Sequence, residues 1–224
     1  MLIYSNLSSG MENVFVVLIA MLMAIFVAMP VHEFAHAFAA KCEGDYTAVA
    51  HKRYTLAPLA HFDWKGFLFL FLFGFGWAKP VPVDSRNFKN GRKSQFKVAI
   101  AGVLSNIILA ILFLFVYMLI YKVNASFYTS NLYGRLLFEF LSYSISLNFM
   151  LAFFNILPIY PLDGYKIIDS FCRYENGFLR FMRNNSFLIY IILILTGAYS
   201  WFYQVTAGNL IKLLIELFSL ILGL

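Results

Sequence analysis

Apolar stretches separated by short polar and basic loops dominate the pattern of this chain. Val14 to Val31 runs for 18 residues without a charge, long enough for a helix to cross a bilayer. With its flanks it predicts a first membrane helix over 13–41. Pro30 inside it predicts a kink. Gly66 to Ala78 is apolar for only 13 residues, which is short for a crossing and fits a re-entrant segment. Val98 to Tyr121 carries no charge in 24 residues and predicts a second crossing. Leu136 to Leu162 predicts a third, broken at its end by Pro158 and Pro161. Phe187 to Gly208 predicts a fourth, with Tyr199, Trp201 and Tyr203 suited to an interface belt. Leu210 to Leu224, with Lys212 and Glu216 at i, i+4, fits a short fifth span or a helix lying at the interface, the span being the preferred reading. Between the first helix and the re-entrant segment, Tyr46 to Ala50 favours extended backbone and predicts a short strand or hairpin at the membrane surface. The expected fold is an all-α integral membrane protein, a polytopic helical bundle with a short re-entrant or β-like segment. It forms one domain over 1–224, with a core over about 13–168 and C-terminal membrane segments over about 186–224.

Composition supports this. The chain has 224 residues, 62% hydrophobic and 12% charged, against roughly 25% charged in a soluble domain. The N-terminal stretch lacks the basic region and small-residue cleavage site of a signal peptide, so the first span is expected to be retained. The net charge of +6 sits in short loops. It reads as a topology signal, with no nucleic-acid partner expected. Cys42 and Cys172 are far apart and give no CxxC motif or disulfide framework. Lys41, Lys52, Arg53 and Lys65 flank the re-entrant segment on one side. Lys79, Arg86, Lys89, Arg92, Lys93 and Lys97 flank it on the other. Both loops therefore belong in the cytoplasm, with the N-terminus outside.

Chemistry concentrates at one place. His32 and His36 stand four residues apart and share a helix face, where two neutral imidazoles can hold one zinc ion. Glu33 can reach a water on that metal. A carboxylate inside hydrocarbon costs roughly 2.5–3.5 kcal/mol, so this cluster points to function. Asp163, just past the broken third crossing and before Lys166, Arg173, Arg180 and Arg183, reaches the same cytoplasmic third of the bilayer. A catalytic zinc needs three protein ligands and an open position, and His32, His36 and Asp163 supply the three. His51 and His61 lie in the surface loop and read as structural. Gly102 and Asn106 share a face of the second crossing, where close packing is the simpler reading. Asn148 and Asn155 lie two turns apart on one face of the third.

These motifs resemble the site-2 protease family of intramembrane zinc metalloproteases. The likeness rests on His32-Glu33-x-x-His36 and on Asn155-x-x-Pro158-x-x-x-Leu162-Asp163-Gly164. Ala101-Gly102 with Asn106 and the run Gly76 to Val83 join it. Together they span 32 to 164, in a compact form without room for PDZ or CBS domains. Val103 and Ala57 depart from the family pattern, where proline and asparagine are usual. The resemblance implies peptide hydrolysis in or near the transmembrane segment of a single-pass membrane protein, often after trimming by an upstream site-1-type protease. It implies one Zn²⁺ per chain in a prokaryotic plasma membrane. Glu33 is expected as the base and Asn155 as the first choice for holding an oxyanion or substrate backbone, with Asn106 and Asn148 next. The competing readings are a zinc protease using a downstream glutamate (Glu139, Glu175 or Glu216), a metal transporter, a catalytically silent homologue, or a membrane scaffold.

Overall fold

The computed structural model describes residues 11–66, 68 and 78–224. Three long helices form the core: α1 (Met11–Cys42), α3 (Arg92–Asn124) and α5 (Leu132–Asn155). The short α2 (Thr47–Ala50) and α4 (Phe127–Ser130) lie in the connections. α1 is apolar all round, and its contact face is a seam of small residues. Ala20, Ala24 and Ala28 recur every four positions and are fully buried. Small side chains let helix backbones approach closely where no hydrophobic force draws helices together. α3 answers with Gly102, Asn106, Ala110, Leu114 and Met118, also at four-residue steps and buried. Its C-terminal half meets α5 through ring pairs, Tyr117–Phe138 at 5.1 Å and Phe113–Phe140 at 5.7 Å between centroids.

α5 ends at Asn155, seven residues before the expected limit of the third crossing. Pro158 and Pro161 cannot supply helix N–H groups, so the chain turns through 156–162. It then starts α6 (Asp163–Phe171), placing Asp163 in the first turn of a new helix. α6 lies on α3: the Gln95 side-chain amide donates to Asp169 Oδ2 at 2.7 Å, and Phe96 meets Phe171 at 5.4 Å.

The expected strand at Tyr46–Ala50 is absent. Thr47–Ala50 is a single helical turn, and the described residues contain no strand. Asp45 overrides the β propensity. Its Oδ1 accepts the Thr47 N–H at 3.0 Å and the Thr47 hydroxyl, a local Asx-type turn that competes with extended backbone. The same carboxylate accepts from the Asp84 N–H and the Asn87 amide, so it ties the loop after α1 to the loop before α3. Glu43 makes a parallel tie, accepting from Ser94 Oγ and Lys97 Nζ, each at 2.6 Å. Those two donors hold its carboxyl below its ordinary pKa. The re-entrant reading of 66–78 falls almost wholly outside the described residues. The flanks of that stretch meet, since the Lys79 N–H donates to the His61 carbonyl at 2.9 Å.

The C-terminal arm departs from expectation. α7 (Gly177–Asn184) and α8 (Ser186–Leu195) meet at a 69° bend. The chain breaks again at Gly197, whose φ of +68° is a left-handed conformation that favours glycine. From there α9 (Ala198–Tyr203), a π-helical stretch (Gln204–Gly208) and α10 (Asn209–Leu222) run on as one span of 25 residues. The expected boundary at Gly208 is wrong because Gly208 keeps helical angles, with φ −61°. Among the described residues, four helices are long and apolar enough to cross a membrane, five if α7 and α8 count as one bent span.

Candidate metal centre

The three core helices and α6 converge on one buried cluster. His32, Glu33 and His36 point from α1, and all three are buried, as is Asp163 at 3% exposure. His32 Nε2 lies 3.1 Å from His36 Nε2, and Asp163 Oδ2 lies 3.3 Å and 3.0 Å from those two nitrogens. Among the described residues this is the one group of three that fits a metal. Asp163 and the histidines come together although Asp163 lies 127 positions after His36 in the chain.

The far sides of the rings say what the near sides carry. His36 Nδ1 stands 2.8 Å from the Val98 carbonyl, which only accepts, so Nδ1 holds the proton and Nε2 keeps its lone pair. His32 Nδ1 stands 2.9 Å from Asn106 Oδ1, with the same consequence. With both rings neutral, three electron-rich atoms face one another and no hydrogen lies between them. Asp163 Oδ2 has no hydrogen-bond partner at all. A cation at their centre resolves that conflict. Tetrahedral zinc with bonds of about 2.0–2.1 Å places neighbouring donor atoms about 3.3–3.4 Å apart, close to the 3.0–3.3 Å found here. The donor set of two imidazoles and a carboxylate suits zinc.

One face of α3 frames this cluster. Val98, Gly102 and Asn106 succeed one another at four-residue steps. Val98 orients His36, and Asn106 orients His32. Gly102 clears the space between them, since a Cβ there would lie 2.4 Å from His36 Nε2 and 2.6 Å from His32 Cε1. Gln95, nearly a turn earlier, pins α6 and so Asp163. The glycine is therefore a close-approach requirement of the site as well as of helix packing.

Glu33 stands beside the cluster without joining it. Its Oε2 accepts the Val81 N–H at 2.7 Å. Val81 lies between Pro80 and Pro82, which have no N–H, so it offers the one donor of that tripeptide. A cavity of about 790 Å³ opens against Glu33, both histidines and Asp163, within the size range of ligand-binding pockets. Lys166, Asn155, Val81 and Tyr190 also line it.

Of the asparagines read from the sequence, Asn155 lines the cavity, with Nδ2 donating to the Leu151 carbonyl at 2.9 Å. Asn106 and Asn148 are fully buried outside its lining, and Asn148 Nδ2 donates to the Ser144 carbonyl at 2.7 Å. His61 is buried with Nε2 2.8 Å from the Thr55 carbonyl, and His51 is exposed; neither joins the cluster. Sequence reasoning missed Val98 and Val81, because each acts through its backbone. It also passed over Lys166, whose Nζ sits 3.1 Å from Asp163 Oδ1. The i, i+3 spacing of the two was the available signal.

A helical bundle that buries this donor set beside a glutamate defines a membrane zinc metalloprotease. Comparison with known proteins agrees. The model of peptidase family M50 matches residues 20–135. Two relatives carry the name "putative zinc metalloprotease". YwhC of Bacillus subtilis strain 168 is 34% identical over 204 residues, covering 90% of this chain and 91% of the relative. MJ0611 of Methanocaldococcus jannaschii is 39% identical over 72 residues, covering 32% of each. No solved structure matches the chain. The chain belongs to peptidase family M50, the site-2 protease family, and is an integral membrane protein.

Proposed function

We propose that this protein hydrolyses a peptide bond in or near the transmembrane segment of single-pass membrane proteins, as a step of regulated intramembrane proteolysis. The observation that carries the reading is the convergence of His32 Nε2, His36 Nε2 and Asp163 Oδ2 beside Glu33, all facing one cavity. His32, His36 and Asp163 hold a single zinc ion in one protease domain spanning 1–224. When bound, zinc supplies Lewis acidity, which acidifies water and polarises the scissile carbonyl. Glu33 accepts the proton of the attacking water and passes it to the leaving amine. The Val81 N–H occupies Oε2 of Glu33, which leaves Oε1 for that proton. Asn155, the one of the three asparagines at the cavity, holds the oxyanion or the substrate backbone.

A substrate helix hides its carbonyls in its own hydrogen bonds, so it unwinds before it reaches the site. The basic loops orient the site toward the cytoplasmic third of a prokaryotic plasma membrane, with the N-terminus outside. An upstream protease that first trims the substrate is in keeping with the family.

The test is cleavage of a single-pass model substrate co-reconstituted in liposomes, with the cut mapped by mass spectrometry. Cleavage within or at the edge of the apolar segment, lost in Glu33→Gln, is the expected result. Cleavage confined to soluble segments would overturn the substrate assignment.

A further inference from the structure

The metal-facing carboxylate has two oxygens in unlike surroundings, and that difference has a single cause. Asp163 Oδ2 has no hydrogen-bond donor and faces the two imidazoles. Asp163 Oδ1 takes the ammonium of Lys166 at 3.1 Å. Both residues lie on α6, three apart, so the helix itself sets the pairing. The helix is fixed in turn, because Gln95 of α3 donates to Asp169 and to the Lys166 carbonyl. The Lys166 side chain is about half exposed and lines the cavity, whereas that of Asp163 is 4% exposed. A pair with one solvated partner adds little to stability. Its consequence lies elsewhere.

We infer that Lys166 is a positioning residue that engages Oδ1 of Asp163 and so commits the carboxylate to the metal through Oδ2 alone. This rests on the zinc reading above. A carboxylate binds a metal through one oxygen or both, and the choice sets how many positions remain for water and substrate. An ammonium on Oδ1 removes that oxygen from competition and keeps the fourth position open. It also draws charge from the ligand, which leaves the metal a stronger Lewis acid. Without it, Oδ1 is free to turn in and fill the position that the reaction needs.

The experiment replaces zinc with cobalt(II) in the full-length protein in detergent and compares the parent, Lys166→Met and Lys166→Arg. Methionine keeps the helix propensity and the length of the side chain, and thermal unfolding checks that each variant is folded. The parent spectrum reports on the metal site, and the difference between variants reports on the lysine. In Lys166→Met the visible bands are expected to weaken and shift, as the site gains a ligand. The kcat should fall about 10-fold or more with KM little changed, the scale seen when an outer-shell partner of a metal ligand is lost. Lys166→Arg, which keeps a cationic donor, should retain the parent spectrum and most of the kcat. Metal affinity is a poor judge, because removing the ammonium also removes a repulsive charge. A parent that binds no cobalt would sink the zinc reading and this inference with it. Unchanged bands in folded, cobalt-loaded Lys166→Met would overturn this inference alone. A raised KM with an unchanged spectrum would make Lys166 a substrate contact instead.

Discussion

The three-helix core and the C-terminal arm are both apolar and helical, yet they use their residues in opposite ways. In the core, α1 and α5 bury 39% of their most apolar windows, against 17% for the span Ala198–Leu222. Three side chains of the core cluster have specific partners: Val98 for His36, Asn106 for His32, Val81 for Glu33. The arm exposes Phe187, Ile194, Leu195 and Leu220 at 67–82%, as suits side chains that meet lipid. Its polar contacts with the core are few, such as Tyr199 Oη donating to the Met150 carbonyl at 2.9 Å and Tyr190 Oη to the Tyr160 carbonyl at 3.0 Å. Polar groups in a bilayer are expensive, so their placement marks where function is held. The core is built around a few atoms that must not move, and the arm is built to suit a solvent.

That contrast is broken most severely at Gly102. Gly102→Ala drives a methyl group to 2.4 Å from His36 Nε2, so it should abolish metal binding and activity together. Elemental analysis of the purified variant checks this. Glu33→Gln comes next: activity should fall about 10²–10⁴-fold, the range for losing a general base, while zinc is kept. Liposome cleavage beside zinc content separates the two effects. Asn106→Ala removes the acceptor for His32 Nδ1 and should cost about 10–100-fold in zinc affinity, read by competition with a chelator.

Asp45→Ala loosens the loops without touching the metal and should cost about 1–3 kcal/mol in stability, measured by thermal unfolding. Burial pushes the Asp45 carboxyl up, but hydrogen bonds from Thr47, Asn87 and Asp84 outweigh it and hold its pKa below the ordinary value. Its contribution is therefore present above the unfolded pKa of about 4 and is lost as pH falls through the lowered folded value. The smallest effect belongs to the arm. Gly197→Ala places a side chain at φ +68° and should cost about 1–2 kcal/mol, with zinc content and kcat unchanged. Loss of zinc in that variant would erase the distinction between the two regions.

The same contrast explains what the sequence disclosed. His32, Glu33, His36 and Asp163 have side chains whose type and spacing point to their chemistry, and their grouping is legible in the sequence. Val98 and Val81 act through a carbonyl and an N–H that every residue but proline possesses, so nothing in their letters marks them. The turn at Thr47–Ala50 escapes a propensity reading because the Asp45 carboxylate, two residues before Thr47, accepts the Thr47 N–H and outweighs β propensity. The break in the arm was misplaced because Gly197 and Gly208 look alike in an apolar run, and only the left-handed φ of the first separates them. The end of the first helix at Cys42 lies one residue from its expected limit, whereas Pro158 and Pro161 mark a break that the third helix reaches early, at Asn155.

The most direct test of the account is the zinc content of the purified full-length protein beside Asp163→Ala and Glu33→Gln. One zinc per chain is expected in the parent, one in Glu33→Gln, and strong depletion in Asp163→Ala. Full occupancy in Asp163→Ala would contradict it, since the carboxylate that α6 brings to the histidines would then not be a ligand.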